Sequence, residues 1–598
     1  MATETTLHRL RKNAQTRPTG LAYAEKLGEH WVTTTWETYW RQVRMAGRAL
    51  VALGIEPGDI VTVLGFNTPE WIIMDLAAML VGGAATGIYT TNSPAEVAYI
   101  QAHSEAKIIL LEDEGQWAKV KQVREDLPTL HHVVMMKKAP AIDDPMVLSW
   151  EAFLAKGEGV TEASIDARME QLRMDQLATL IYTSGTTGPP KAVMLSHNNL
   201  AETATNAAVI LSTTPDDILL SYLPLSHIAE QMLSIHLAIC ASCAIYFAES
   251  MTKVADNLKE VRPTILFGVP RVWDRFYEGV SARMKAATGI RATLGQWAQG
   301  VGKQVTALKN RSQKPTGLLA LQYRLAQRLV FSKVKEALGL SRTRIFVSAA
   351  APLNPEVMYF FAGLDISIME LYGQSEDCGP TTTNRPGDIR FGTVGKPWPG
   401  SEVKLAEDGE ILVKGPNVFM GYYKNEEATN KELVDGWLHS GDLGQFDAEG
   451  YLTIVGRKKE IMITSGGKNI APKNIEAALV NCDLIAEAVL VADRRKFVSA
   501  LLTLRQDAVQ KFAEEHGCPE PWHTNPAIVA AVQKEVDEKV NPLFARVEQV
   551  RKFTILPRNF ALEHDEITPT QKLKRQVVYK NWSAEIEKMY REGDGRQE

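Results

Sequence analysis

Four side-chain hydroxyls, on Thr183, Ser184, Thr186 and Thr187, crowd five consecutive positions around Gly185, and Gly188 and Lys191 follow. A loop of this composition turns its backbone N–H groups inward and surrounds a polyphosphate with donors. Lys191 adds a full positive charge. The apolar residues 180–182 before it read as the end of a buried strand. That places the loop at a strand's carboxyl edge, where α/β sheets take ligands. A Ser/Thr/Gly-rich surface turn has the same composition. The P-loop spacing is absent, because Pro189-Pro190 separate Gly188 from Lys191 and Ala192 follows the lysine.

The elements that must position this loop alternate along residues 55–112. A strand over 59–65 follows the Pro57-Gly58 turn. A helix over 68–80 starts on Thr68-Pro69, a cap followed by proline at the first helical position. A second strand covers 84–89, and Ser93 with Glu96 three places on forms a capping-box pattern for a helix over 93–103. Further strands are predicted over 106–111 and 133–136, and 176–181 leads into the glycine loop. This alternation predicts an α/β fold with parallel sheet. Strands are also predicted over 264–268, 344–347, 488–491 and 499–504.

A chain of 598 residues calls for more than one core. Its formal charge of −5 gives no general attraction to nucleic acid. Five cysteines, an odd number in a long chain, point to a reducing, cytoplasmic setting. Cys240 and Cys243 lie in an apolar run and read as core residues. The N-terminal residues have no apolar core of a signal peptide. The apolar stretches 71–89 and 232–247 each read as a buried helix running into a strand, not as a membrane span.

Residues 183–197, TSGTTGPPKAVMLSH, resemble the phosphate loop of the adenylate-forming enzymes, the acyl-CoA synthetase, peptide-synthetase adenylation domain and luciferase superfamily. Later motifs match in order over nearly the whole chain. They are Ser348-Ala349-Ala350, whose small side chains let a flat ring approach the backbone, then Tyr372-Gly373-Gln374-Ser375-Glu376, Asp442 in WLHSGDLG, Arg457 in GRKKE, and the terminal TPTQKLKR. The resemblance implies that Thr183, Ser184, Gly185, Thr186, Thr187, Gly188 and Lys191 surround the phosphates of ATP. It implies that Tyr372 stacks on adenine, Ser375 contacts the α-phosphate, and Asp442 and Arg457 hold the rest of the nucleotide. Glu376, with Thr183, would bind Mg²⁺, and Lys572 would be the catalytic lysine. Serine at 375, glutamine at 571 and alanine at 192 depart from the family's usual residues.

The resemblance also implies a large N-terminal domain over 1–458 and a small mobile α+β domain over 459–598, with Lys459 as the hinge. His227, after an apolar run, reads either as a core histidine or, by the resemblance, as a wall of the acyl site. Trp273 matches the tryptophan that gates the acyl tunnel of long-chain synthetases, with a core tryptophan as the other reading. Gly466 and Gly467 offer a side-chain-free path for CoA. Residues 281–340 hold eleven Lys and Arg against one acid, Glu336, with Leu318, Leu321, Leu325 and Leu329 at helical spacing. Either a solvated basic helix pair or a peripheral contact with anionic lipid fits this segment.

The motif variants are most similar to long-chain and bubblegum-type acyl-CoA synthetases. The implied reaction joins a long-chain fatty acid to CoA through an acyl-adenylate, with release of AMP and pyrophosphate. An adenylate-forming ligase with another acceptor, or with an aryl or medium-chain acid, is one alternative, and a catalytically inactive lipid-binding scaffold is another.

Overall fold

A computed structural model of the chain describes residues 3–183, 189–567 and 573–591. The largest sheet has eight strands in the order Gly421–Tyr422, Lys191–Ser196, Leu177–Thr183, Ala84–Ile88, Ile60–Leu64, Ile108–Leu111, His132–Met135 and Val147–Ser149. The last six of these pair in parallel, and the first three pair antiparallel. Ile60–Leu64, Ala84–Ile88 and Ile108–Leu111 are buried throughout, as strands covered on both faces must be.

A second, four-stranded sheet joins residues 21–35 to strands Ile218–Ser221 and Ala244–Phe247. A third runs Ile265–Gly268, Ile345–Ser348, Ile368–Tyr372, Thr382–Thr383 and Lys396–Pro397. A fourth, antiparallel sheet carries Trp437–Phe446 beside Leu452–Arg457. From Met462 on, the chain builds hydrophobic clusters of its own around strands Ile485–Val491, Val498–Leu504 and Val550–Ile555.

The expected helix starts are present. Thr68 accepts a hydrogen bond from the Trp71 N–H, and Pro69 is the first helical residue. Ser93 and Glu96 form both bonds of the capping box. Residues 232–247 form a helical stretch, one part of it a π-helix over Met232–Leu237, running into the strand Ala244–Phe247. Cys243 is buried, and Cys240 accepts from the Arg9 guanidinium at 3.0 Å. No helix among the described residues is long and apolar enough to cross a membrane.

The basic segment includes the helices Ile290–Lys309, Gly317–Ala326 and Ser332–Ala337, and three of the four leucines at helical spacing face outward. Leu319, Tyr323, Ala326 and Phe331 face the core, while Leu318, Leu321 and Leu325 are 71, 64 and 50% exposed. Two rows at helical spacing were available, and the row carrying the aromatic ring covers more apolar surface and is the one buried.

The helix Pro69–Leu80 is buried at every position, which leaves Asp75 inside the core. Neither carboxylate oxygen has a hydrogen-bond partner, and burial pushes the group up to about 8. Asp75 is therefore protonated in the folded chain at pH 7, whereas an unfolded aspartate titrates near about 3.9. Between those values the folded state binds the extra proton. Stability is thus fully present below the unfolded pKa and falls as pH rises towards the folded one, by up to about 1.4 kcal/mol per pH unit. Asp75→Asn removes this dependence. Its thermal midpoint is expected to gain on the parent by several degrees between pH 5 and pH 8. A gap that stays constant across that range would contradict the assignment.

Candidate active site

A cavity of about 2490 Å³ collects most of the residues singled out from the sequence. Its walls come from the edges of three sheets and from residues beyond Lys458. Thr183 ends its strand directly opposite Lys191 in the antiparallel register and donates from Oγ1 to the Lys191 carbonyl at 3.5 Å. Both residues line the cavity. Residues 184–188 and Lys572 lie outside the described residues.

The wall that would face a purine is built tightly. Ala349 and Ala350 follow the strand Ile345–Ser348, and Ala350 sits at φ 73°, a left-handed conformation that costs a non-glycine residue energy. Ser348 is buried, its hydroxyl has no partner, and it sits just behind this wall. Tyr372 ends the next strand. Gly373 after it cannot be replaced without movement, since a Cβ there would lie 1.7 Å from the Gly379 carbonyl oxygen. That backbone-to-backbone approach turns the chain into the short 3₁₀ segment Ser375–Asp377, which holds Ser375 and Glu376 on the wall.

Three acids define the polar end. Asp442 accepts from the Tyr372 hydroxyl at 2.8 Å on Oδ2 and from Arg457 Nε at 3.0 Å on Oδ1. Asp442 and Arg457 are paired neighbours on adjacent strands. Glu376 is buried, which raises its pKa, and its Oε1 lies 2.8 Å from the Tyr422 hydroxyl. Glu432 accepts from the same hydroxyl and pairs with Lys191 at 2.9 Å. Glu370 also lines the cavity, and burial pushes it up to about 7.

His227 lines the cavity and caps the short helix Ile228–Gln231, its Nδ1 accepting from the Ala229 N–H at 3.1 Å. The segment before it lies against the large sheet at Gly87, where a Cβ would meet Ser226 Cα at 2.6 Å. Apolar side chains of Ala207, Ile210, Leu211, Met232, Leu233 and Trp398 also line the cavity, and all but Met232 belong to one hydrophobic cluster.

Other expected residues stand elsewhere. Trp273 is fully buried and is not on the cavity wall. Its ring packs edge-on against Phe276, Phe346 and Phe361, and its Nε1 donates to the Val347 carbonyl at 3.3 Å. The core position is the one this structure shows for it. Gly466 and Gly467 form an exposed turn closed by the Gly467 N–H to the Thr464 carbonyl, away from the cavity lining. Lys459 is exposed in the 3₁₀ turn Lys458–Glu460 at the cavity rim. Arg575, the last residue of the terminal motif, is held by Glu476 at 2.6 Å and the Leu490 carbonyl at 3.1 Å.

Tyr422, Glu432 and Glu370 were not singled out from the sequence. Glu432 did carry a signal, since it is an acid at the last position of the helix Glu426–Glu432, where the helix dipole disfavours negative charge.

Fold and cavity together define an α/β protein whose smaller C-terminal part contributes to the cavity wall. Comparison with known families makes the class specific. The family described as "AMP-binding enzyme" matches residues 10–423, and "AMP-binding enzyme C-terminal domain" matches residues 459–594. The chain belongs to the AMP-binding enzyme family. Among curated proteins it is 37% identical to the long-chain-fatty-acid–CoA ligase ACSBG2 of Xenopus laevis, over 96% of this chain and 82% of that one. It is 34% identical to the long-chain-fatty-acid–CoA ligase FadD15 of Mycobacterium bovis, over 96% and 95% of the two chains. In fold it is similar to the ATP-bound MatB of Rhodopseudomonas palustris, with a TM-score of 0.69, 24% identity and coverage of 97% and 98%. It is likewise similar to a Mycobacterium tuberculosis fatty acyl CoA synthetase, with a TM-score of 0.62, 20% identity and coverage of 97% and 99%.

Proposed function

We propose that the protein ligates a long-chain fatty acid to CoA in two steps, through an acyl-adenylate. One observation carries the reading: the residues matched to the nucleotide, His227 and a cluster of apolar side chains all line a single cavity. A fatty acid lying against the apolar side chains would share that cavity with ATP. A carboxylate oxygen attacks the α-phosphorus of ATP and pyrophosphate leaves. The CoA thiolate then attacks the acyl carbonyl and AMP leaves. The long-chain-fatty-acid–CoA ligases that share a third of their residues with this chain support the substrate class.

Each residue has a role in this reading. Tyr372 stacks on adenine in the slot beside Ala349 and Ala350, and Asp442 accepts from the ribose hydroxyls with Arg457 steadying it. The Thr183 hydroxyl, Lys191, Ser375 and the loop 184–188 meet the phosphates. The donor set of Glu376 and Thr183 is all oxygen and suits Mg²⁺, which would neutralise phosphate charge when bound. Lys572 meets the charge that develops at the α-phosphate. The five cysteines are all free, in keeping with a cytoplasmic setting.

The reaction is tested by AMP release with a chain-length series of fatty acids, CoA and ATP. Long-chain acids are expected to be preferred and acyl-CoA to be the product. Lys572→Ala is expected to lower adenylation by about 10²–10³-fold, the usual effect of removing one group aimed at transition-state charge. The same variant should still convert supplied acyl-adenylate to acyl-CoA. Adenylation at the parent rate by Lys572→Ala, or adenylate accumulating without thioester, would overturn the reading.

Two finer statements belong to the same proposal. Residues 459–598 turn about Lys459 between the half-reactions, so that Lys572 withdraws and Gly466-Gly467 approach the cavity for CoA. Such a hinge concentrates the backbone change in one or two residues. Proline at 459 fixes φ near about −65°. Lys459→Pro is therefore expected to form adenylate and fail to pass it to CoA, and thioester formation at the parent rate would refute the hinge.

The helix Gly317–Ala326 docks on an anionic bilayer. Three exposed leucines on one face, within a segment of eleven basic residues, supply apolar insertion and charge attraction together. Co-sedimentation with anionic vesicles at low salt, lost with neutral vesicles and reduced in Leu318→Asp/Leu321→Asp, is the expected result. Equal sedimentation with both vesicle types would contradict it.

A further inference from the structure

The cavity wall holds a chain of four side chains that the reaction as described does not use in full. Lys191 Nζ lies 2.9 Å from Glu432 Oε1 and 4.4 Å from the centre of the Tyr422 ring. The second oxygen of Glu432 accepts from the Tyr422 hydroxyl, and that hydroxyl also meets Glu376 Oε1 at 2.8 Å. Lys191, Tyr422, Glu432 and Glu376 all line the cavity. We infer that Glu432 is a positioning residue that stands in for the outer phosphates of ATP, holding Lys191 until a polyphosphate displaces it. The inference rests on the reading of Lys191 as a phosphate contact.

Placement supports it. Glu432 ends the helix Glu426–Glu432, where the helix dipole opposes a carboxylate. The ammonium group and the phenol compensate for that position. Lys191 is the first residue of its strand, opposite Thr183 in the register, and it lines the cavity. Tyr422 is anchored independently, since it pairs with Val193 on the same strand and its N–H donates to Thr429 Oγ1 at 2.8 Å. The phenol also stands between the two acids. It gives Glu376 an uncharged partner and gives Lys191 a different carboxylate.

The consequence is a competition. An incoming triphosphate and Glu432 both seek the same ammonium, and two anions held against one another repel. Part of the binding free energy of ATP is therefore used to break the Lys191–Glu432 contact. When pyrophosphate is to leave, Glu432 recaptures Lys191 and favours release. AMP has no outer phosphates and should be indifferent to the exchange.

Equilibrium binding of ATP, pyrophosphate and AMP to the full chain tests this without fatty acid present. Lys191 and Glu432 are 32 and 23% exposed, so their pairing is partly screened. Glu432→Gln is expected to tighten ATP and pyrophosphate by about 2- to 5-fold, the range of partly exposed ion pairs, and to leave AMP unchanged. The gain should shrink with added salt. Lys191→Ala should weaken ATP but not AMP, and Glu432→Gln added to Lys191→Ala should bring no tightening. If Glu432→Gln does not fold, Glu432→Asp, one methylene too short to reach both partners, is expected to shift binding in the same direction. Unchanged or weaker ATP binding by the glutamate variants would overturn the proposal. So would equal tightening of AMP, or tightening that persists without Lys191. ATP binding that is unaffected in Lys191→Ala would instead refute the role of the lysine on which the proposal rests.

Discussion

Asp442 is a buried carboxylate with both oxygens engaged, and the geometry of the nucleotide wall depends on it. A carboxylate taken from water is costly unless its oxygens find donors. Here Arg457 comes from the neighbouring strand and Tyr372 from a different sheet. One side chain therefore ties the sheet that carries Tyr372, Ser375 and Glu376 to the sheet that leads into the C-terminal part. Removing it would unpair a half-exposed guanidinium and a half-buried phenol together.

The same logic shapes the phosphate side. Glu376 and Glu432 lie one hydroxyl apart, and Tyr422 and Lys191 make that proximity tolerable. The cost of holding these acids close together is met with a phenol and an ammonium group. The apolar lining residues Ala207, Ile210, Leu211, Leu233 and Trp398 need no such arrangement.

Much of this was legible from local chemistry. Thr68-Pro69 and Ser93 with Glu96 announced helix starts because capping is decided within four residues, and those helices begin where expected. Strand ends differ by a residue or two, as for 106–111, which forms Ile108–Leu111. The tyrosine, serine and two acids of the nucleotide wall lie within short motifs, so their placement on one wall follows from the family pattern. Trp273 was harder. Its motif marks a tryptophan after a Pro turn, but whether the ring meets a cavity or Phe346 and Phe361 is set by packing from distant segments. The leucine row of 318–325 had the same ambiguity, since helical spacing names a face without saying which way it turns. Tyr422 was silent, and Glu432 offered only its unfavourable place at a helix end, for a related reason. Their meaning lies in contacts with Lys191 and Glu376, hundreds or tens of residues away in sequence.

The account turns on a carboxylate oxygen attacking the α-phosphorus of ATP in this cavity. Incubating the protein with a long-chain fatty acid carrying ¹⁸O in both carboxylate oxygens, together with ATP and CoA, tests that step directly by mass spectrometry. One labelled oxygen in each AMP and none in pyrophosphate is the predicted result. Unlabelled AMP, or label in a phosphate product, would contradict it.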